Sequence, residues 1–245
     1  MTTGTRTDLY SAYMEVVRSR HTSRKFKPED IPKEVFEQVI EAGRHACSGA
    51  NAQPWEYIVV EDPELKGQIG EYFIQEARAR AKLKMGFPTP NYSGMKTAPG
   101  LIVALVDYRY VNAFPVLNDG SDLDRMYQAN AQRILLQSLA ASVMSMHLAA
   151  ASLGYSAWWV TAIGQEKAQN VLKPILGVPD VLHLIDIMCF GHPEKEAYVR
   201  FKKPLEEIVH WGRYDTSREK PDEEIKDWIE NRRHKVMYRD ESKVD

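Results

Sequence analysis

Cysteine is scarce in this chain, and this scarcity excludes two classes of small stabilised domain. Cys47 and Cys189 are the only cysteines among 245 residues. Disulfide frameworks and zinc sites need several cysteines at defined spacings, and a chain with so few is typical of a reducing compartment. The polar segment 1–10 also lacks the apolar core of a secretory signal. We therefore expect a cytoplasmic protein.

Net charge and long apolar runs are also lacking. The formal net charge is −2, which argues against a general nucleic-acid or anionic-membrane binder. The longest apolar-rich run, Ile134–Leu153, is interrupted by serines, a glutamine and His147. A run this polar is better explained by a buried helix than by a membrane span. We expect neither a nucleic acid nor a membrane as a partner, and we expect His147 to be a satisfied core or interface histidine.

The motifs of several common enzyme classes are missing. The sequence contains no G-x-G-x-x-G, no P-loop, no G-x-S-x-G and no H-E-x-x-H. These absences argue against a dinucleotide fold of the Rossmann type, a P-loop nucleotidase, a serine hydrolase and a zinc protease. A bound organic cofactor is then the simplest source of any chemistry.

The segment Cys47–Trp55 joins a helical pattern to the strand pattern Tyr57–Val60. Its small residues allow a flat ligand to approach the backbone, and Asn51 and Gln53 can each donate and accept hydrogen bonds. This inventory suits the edge of a heterocycle, although an ordinary helix-to-strand loop has a similar composition. Cys47 could be a nucleophile, but nothing around it favours that role over a small buried thiol.

A second segment, Arg20–Phe26, concentrates cations and hydroxyls within a few residues. Arginine makes fork-like, charge-assisted contacts to phosphate, and Thr22 or Ser23 can add a short O–H bond. A solvated basic turn is the alternative.

Periodicity predicts an alternation of helices and short strands. Helices are expected over Asp8–Ser19, after Pro32, over Glu64–Met85, Gln128–Leu153 and Gln165–Leu176, and strands over Tyr57–Val60, Leu101–Val106, Trp158–Ala162 and Leu182–Phe190. Two irregular excursions, at about 86–94 and 109–125, could cover a site. A charged tail from Glu219 carries Ile225, Trp228 and Ile229 on one face and predicts a surface helix.

Four pieces in order give the sequence its resemblance to the FMN-dependent nitroreductase superfamily. Arg20–Phe26 resembles the family's R-[RH]-[ST]-x-[RK]-x-F, and Ser48–Trp55 resembles its S-x-x-N-x-Q-P-W. Gly154–Ile163 is similar to the strand tip at which the family touches flavin. The segment from Arg200 to Trp211 is close to its closing K/R-P-L-E-E-V-x-x-W.

The resemblance implies an α+β fold with a central, mostly antiparallel sheet flanked by helices, in an intertwined homodimer with FMN at the interface. It implies that residues 1–211 form the FMN-binding domain and that residues 212–245 are a charged, helical extension. By this resemblance, Arg20, Thr22 and Arg24 would hold the phosphate and ribityl chain, with His21 nearby and with Arg200 and Lys202 adding charge. The flavin ring would meet Cys47, Ser48, Gly49, Asn51 and Gln53 of the other subunit, together with Thr161, Ala162 and Asn91.

The resemblance also implies the reaction. NADH or NADPH would reduce FMN and leave, and a nitroaromatic, quinone or activated alkene would then be reduced in a ping-pong cycle. Phe87 and Tyr92 are candidate acceptor contacts, with simple packing as the alternative for both. Other possibilities are a reductive dehalogenase, a flavin-fragmenting enzyme, a flavin-binding protein with little turnover and a non-enzymatic interaction module. Three departures stand out: Cys47 replaces a common proline, Thr161-Ala162 replaces a glycine-containing pair, and Gly94 replaces a frequent lysine.

Overall fold

The computed structural model describes residues 6–83, 91–195 and 202–232. The first two ranges belong to one compact unit, and residues 202–232 belong to a second. The predicted domain boundary lay after Trp211, whereas the second unit already includes Lys202. The predicted contacts Phe87 and Arg200 lie outside the described residues.

An antiparallel sheet forms the centre of the first unit. Within the described residues its strands are β1 (Trp55–Val59), β2 (Gly100–Asp107), β3 (Ser156–Val160) and β4 (Leu182–Gly191), in the order β1-β2-β4-β3. Every pairing between neighbouring strands is antiparallel, which confirms the predicted sheet type. All of β2 is buried, as its continuous apolar run predicted.

Helices cover both faces of this sheet. Those of the first unit are α1 (Arg6–Ser19), α2 (Lys33–Arg44), α3 (Pro63–Ala81), α4 (Ser93–Thr97), α5 (Asp122–Ser152) and α6 (Glu166–Leu176). Strand side chains alternate between the two faces. Trp158 and Cys189 therefore pack with α3, α4 and α6, while Met188 and Phe190 pack with α2 and α5.

Helix α5 is the one helix among the described residues that is long and apolar enough, by composition, to cross a membrane. In the structure Leu135, Leu139, Val143 and Met146 are completely buried within the first unit. This is the arrangement of a core helix, as the sequence predicted.

The predicted excursion at 109–125 is shorter than expected. A 3₁₀ segment, Tyr108–Ala113, follows β2, and α5 already begins at Asp122. Ser121 caps α5 by accepting a hydrogen bond from the Asp124 N–H at 3.1 Å. The buried Asp124 carboxylate accepts backbone N–H bonds from Leu117, Asn118 and Gly120, which lower its pKa. Helix α5 therefore begins six residues before Gln128, where the sequence predicted its start.

The second unit has little interior of its own. It contains α7 (Leu205–Ile208), α8 (Asp222–Asp227) and a π turn at Trp228–Arg232. The tail helix therefore forms close to where it was predicted. Lys203 lies over the Trp228 ring at 5.8 Å, and Arg218 donates to the Val209 carbonyl at 3.1 Å. The tail thus folds back on the segment that precedes it.

Candidate active site

The segment Arg20–Phe26, called the edge segment below, runs from β3 to the residues that follow β4. Thr22 forms a parallel bridge with Ala157, and Phe26 forms an antiparallel bridge with Pro193. The buried Phe26 ring anchors the end of the segment in the core. The predicted phosphate-binding residues are therefore held by strand-like pairing rather than by a loose basic turn.

His21 is fixed by both of its ring nitrogens. Nδ1 lies 3.0 Å from the Ser19 carbonyl, and Nε2 makes a short hydrogen bond with the Ser156 hydroxyl. A carbonyl can only accept, so in the neutral ring Nδ1 carries the hydrogen and Nε2 accepts from Ser156. The ring therefore connects the end of α1 to β3, and the His21 backbone is better placed than the ring for contact with a ligand.

Arg24 stands against an aromatic column. Its guanidinium carbon lies 5.4 Å from the centre of the Trp158 ring. Trp158 stacks on Tyr92 at 5.4 Å, and Tyr92 stacks on Phe73 at 5.2 Å. Tyr92 is only 7% exposed. This burial favours the packing alternative for Tyr92 over direct contact with an acceptor.

Close packing against the Arg24 backbone explains the glycine at position 94. A Cβ built on Gly94 would lie 1.7 Å from the Arg24 carbonyl oxygen. No side chain fits there unless the Arg24 backbone moves, so the departure from lysine is tied to the close approach of α4. Lys96, the cation nearest in sequence, is paired with Glu71 at 2.6 Å.

The loop that contains Asn51 and Gln53 has a strained backbone. Ala50, Asn51 and Gln53 have φ values of 52°, 51° and 46°. Among the described residues, Asn118 is the one other non-glycine residue with positive φ. Each left-handed non-glycine residue costs about 1–3 kcal/mol, and such residues cluster at functional sites. The concentration of strain in this loop is a signal of function that is independent of any sequence motif.

Anchors on both sides hold the loop in this shape. The Gly49 N–H donates to the Ser138 hydroxyl at 3.1 Å, and a Cβ on Gly49 would lie 2.2 Å from a methyl carbon of Ile134. The Gln53 N–H donates to the Ser48 hydroxyl at 3.1 Å. The loop is therefore seated on α5, and glycine is needed at position 49 for that contact.

The side-chain amides of Asn51 and Gln53 form a pair on the exposed surface of the loop. Gln53 Nε2 lies 3.3 Å from Asn51 Oδ1 and 3.4 Å from the Asn51 carbonyl. These contacts use the Gln53 nitrogen and the Asn51 oxygen. Asn51 Nδ2 is then left as a donor and Gln53 Oε1 as an acceptor, the two kinds of group that an amide-like heterocycle edge needs.

Asn91 is described by its contacts, and β3 ends at Val160, two residues before the predicted end at Ala162. Asn91 is exposed, and its Oδ1 accepts from the Ser93 N–H at 2.9 Å, so its NH₂ group is the end available to a ligand. Thr161 and Ala162 follow directly after β3 and enter a 3₁₀ turn.

Cys47 is exposed, so the expectation of a small buried thiol is wrong. Lys202 is exposed in the second unit.

Two buried polar groups lie near the sheet; one was not predicted from the sequence, and the prediction for the other was incomplete. His147 is 3% exposed and stacks on Trp159 at 5.3 Å. Burial, and secondarily the charge of Arg20, lower its pKa to about 4. The ring lies in the core, as one of the two predicted settings, but its Nε2 has no hydrogen-bond partner among the described residues. Helix α5, which carries His147, packs against α1, which ends directly before Arg20.

Asp186 is the second group, and its sequence signal was a carboxylate inside an apolar strand. It lies on β4, beside a bulge opposite Ala104 and Leu105, and is 4% exposed. Burial raises its pKa to about 6. The nearby Trp159 indole N–H acts to lower this pKa and so reduces the shift. Its Nε1 nevertheless makes no hydrogen bond of normal geometry within the described part of the chain.

An exposed apolar surface runs along α1 and α5, which pack against each other. Leu9, Tyr10 and Tyr13 of α1 are each more than half exposed, and so is Met126 of α5. A soluble monomer rarely leaves large apolar side chains grouped in this way.

Comparison with known proteins identifies the family. The model of the nitroreductase family matches residues 17–192, which include the edge segment, the strained loop and all four strands described here. The chain belongs to the nitroreductase family. The predicted superfamily is thereby confirmed.

Several relatives of this nitroreductase-family protein have names that indicate an activity. It is 27% identical over 209 residues to an iodotyrosine deiodinase of Nematostella vectensis, covering 80% of this chain and 74% of the relative. It is 25% identical over 215 residues to an NADPH-dependent oxidoreductase of Staphylococcus epidermidis, covering 86% and 77%.

The fold of this nitroreductase-family protein also matches solved structures. One is the NADPH:FMN oxidoreductase of Vibrio harveyi in complex with NAD⁺. The TM-score is 0.60 at 22% identity, and the match covers 89% of this chain and 83% of that one. The fold prediction is confirmed by this likeness.

Proposed function

We propose that this nitroreductase-family protein is an FMN-dependent oxidoreductase that uses NADH or NADPH to reduce a small organic acceptor. The observation that carries the proposal is the strained loop Ser48–Gln53, where left-handed backbone displays an exposed amide pair. Strain of this kind persists where surrounding structure and function maintain it. Nitroaromatics, quinones and activated alkenes are the candidate acceptors.

The residues fit FMN in charge and in hydrogen-bonding groups. Arg20 and Arg24 supply cations for the phosphate and ribityl chain, and Thr22 supplies a hydroxyl. Asn51 and Gln53 offer the donor and acceptor that suit the pyrimidine edge of the ring. When bound, FMN would supply the redox chemistry by accepting a hydride and passing the electrons to the acceptor. The protein's contribution is position, charge and exclusion of water.

We also propose that the protein is a homodimer and that each site is composed of both subunits. Gly49 donates to Ser138 of α5, and α1, which leads into the segment Arg20–Phe26, packs on the same helix. A second copy seated on the exposed α1–α5 surface would bury its apolar side chains and could bring the loop of one chain to the edge segment of the other.

The visible spectrum of the purified protein tests this proposal. A bound flavin spectrum, with FMN released on denaturation in about one equivalent per chain, is expected. A protein that remains colourless and does not take up added FMN would refute the proposal and favour a non-enzymatic interaction module.

Reductive deiodination is a second candidate, favoured by the similarity to an iodotyrosine deiodinase over 80% of this chain. In that reaction two electrons and one proton replace the ring C–I bond by C–H, and iodide leaves. Iodide release from 3-iodotyrosine by the anaerobically reduced protein would support it. Reoxidation by a quinone or nitroaromatic without any iodide release would favour the first candidate.

A further inference from the structure

The aromatic column behind Arg24 joins three separate elements of the fold. Phe73 comes from α3, Tyr92 is the residue that precedes α4, and Trp158 comes from β3. Both stacked pairs have interplanar angles of 26°. Trp158 is 4% exposed and lies in the core cluster together with the other two rings. The indole against which Arg24 rests is therefore supported from behind and cannot easily tilt.

Arg24 is restrained at its backbone as well as at its guanidinium. The Gly94 backbone approaches the Arg24 carbonyl so closely that a Cβ would collide with it. Phe26, two residues further on, is anchored in the core and paired with Pro193. Both ends of a long side chain that would otherwise sample many rotamers are thus set by the fold.

Stacking on an aromatic face suits a cation that must also bind a ligand. The negative face of the indole attracts the guanidinium, and the attraction is strongest where water is excluded. The N–H groups of arginine lie in the guanidinium plane, so a contact through the face does not consume them. An arginine that is ordered before its ligand arrives loses less conformational entropy on binding.

We propose that Trp158, supported by Tyr92 and Phe73, is a positioning residue that holds Arg24 in the conformation in which it meets FMN. This inference rests on the proposed function. It gives Tyr92 a role in cofactor binding through packing and not through contact with an acceptor. The column also connects Asn91 to Arg24, because Tyr92 follows Asn91 directly in the chain.

The affinity of apoprotein variants for FMN, measured by flavin fluorescence titration, tests the proposal. Trp158→Leu should weaken binding about tenfold, and Trp158→Phe should restore most of that loss because it retains an aromatic face. Trp159→Leu is the matched control. It removes an indole from the next position of β3, but that indole packs on the opposite face of the sheet. Its FMN affinity should stay within about twofold of the parent.

A double-mutant cycle separates positioning from general damage to the fold. In an Arg24→Gln background, Trp158→Leu should cause little further loss of FMN affinity, because the residue through which it acts is gone. Tyr92→Leu removes the ring that supports the indole, and a second cycle combines it with Arg24→Gln. This second cycle decides the question if Trp158→Leu folds poorly. Additive losses in the cycle, or an unchanged affinity for Trp158→Leu, would overturn the positioning role. A parent apoprotein that fails to bind FMN would instead overturn the proposed function and this inference with it.

Discussion

Replacing Asp186 by asparagine should stabilise the protein at neutral and alkaline pH. The side chain lies on β4 among apolar residues and is 4% exposed, so its ionised form is poorly solvated. Asparagine has almost the same shape and carries no charge. The substitution therefore removes the ionisation while leaving the packing around Trp159 and the neighbouring β-bulge nearly unchanged.

The size of the effect follows from the pKa difference between the folded and unfolded states. The pKa of Asp186 is raised from 3.8 to about 6 in the fold. At about 1.36 kcal/mol for each pH unit, ionisation destabilises the folded state by about 3 kcal/mol above pH ~6. This penalty shrinks as the pH falls through the folded-state pKa and disappears below the unfolded-state value. Asp186→Asn should therefore gain about 3 kcal/mol relative to the parent at about pH 8 and almost nothing at about pH 4.

The titration of His147 changes the stability in the opposite direction over nearly the same pH range. Its folded-state pKa of about 4 lies below the ordinary value of 6.5. As the pH falls through this window the unfolded chain takes up a proton that the folded chain does not, so His147 lowers stability by about 3 kcal/mol. In the parent these two contributions should nearly cancel between pH ~4 and ~6. In Asp186→Asn only the His147 contribution remains, so this variant should lose stability steeply on acidification. In the parent these two groups together cause no such loss.

Urea unfolding of the parent and of Asp186→Asn, at several pH values and at fixed protein concentration, measures this difference. His147→Gln is the complementary variant, and its stability relative to the parent should rise as the pH falls towards about 4, because it lacks the loss that His147 causes. Equal stabilities of Asp186→Asn and the parent at every pH would refute the reasoning. So would a lower stability of the variant at alkaline pH.

Three further predictions concern the candidate site. Arg24→Ala should weaken FMN binding by about 1.5–3 kcal/mol in fluorescence titration, because it removes a charge-assisted contact. Gly94→Ala should lower the melting temperature, since a Cβ would lie 1.7 Å from the Arg24 carbonyl oxygen. A dimer that combines one Asn51→Asp chain with one Arg24→Glu chain should regain a single intact flavin site, because the two residues of each site are proposed to come from different subunits.

Each of these predictions has a contradicting result. Unchanged FMN affinity for Arg24→Ala would remove Arg24 from the cofactor site. An unchanged melting temperature for Gly94→Ala would mean that the backbone yields easily at this contact. A stable, flavin-loaded monomer seen by light scattering would exclude the composite site tested by the mixed dimer.

The fold could be predicted from the sequence to a considerable extent. The buried strand β2 was readable as an uninterrupted apolar run, and the paired motifs around Arg20 and Asn51 indicated the family. The start of α5 was missed because Pro115 and Gly120 made residues 109–125 look irregular, although Ser121 and Asp124 have the spacing of a helix cap.

The finer features of the candidate site depend on contacts distant in the chain. Ala50 and Gln53 are not residues that favour positive φ, so their strain follows from the seating of the loop on Ser138 and Ile134 and not from local preference. The column behind Arg24 likewise joins residues from three elements, and its stacking has no local sequence pattern. The burial of Asp186 does not depend on such contacts and could have been predicted. A carboxylate inside an apolar strand is visible in the sequence, and its burial follows from the strand's position.

The central claim is that the chain binds FMN and passes electrons from a nicotinamide cofactor to an organic acceptor. Anaerobic stopped-flow mixing tests it most directly, first with NADH or NADPH and then with a nitroaromatic or a quinone. The account predicts that the visible flavin absorbance is lost in the first step and returns in the second, with acceptor reduction still occurring after the oxidised nicotinamide has been removed. A bound flavin that neither nicotinamide reduces, or one that no such acceptor reoxidises, would contradict it.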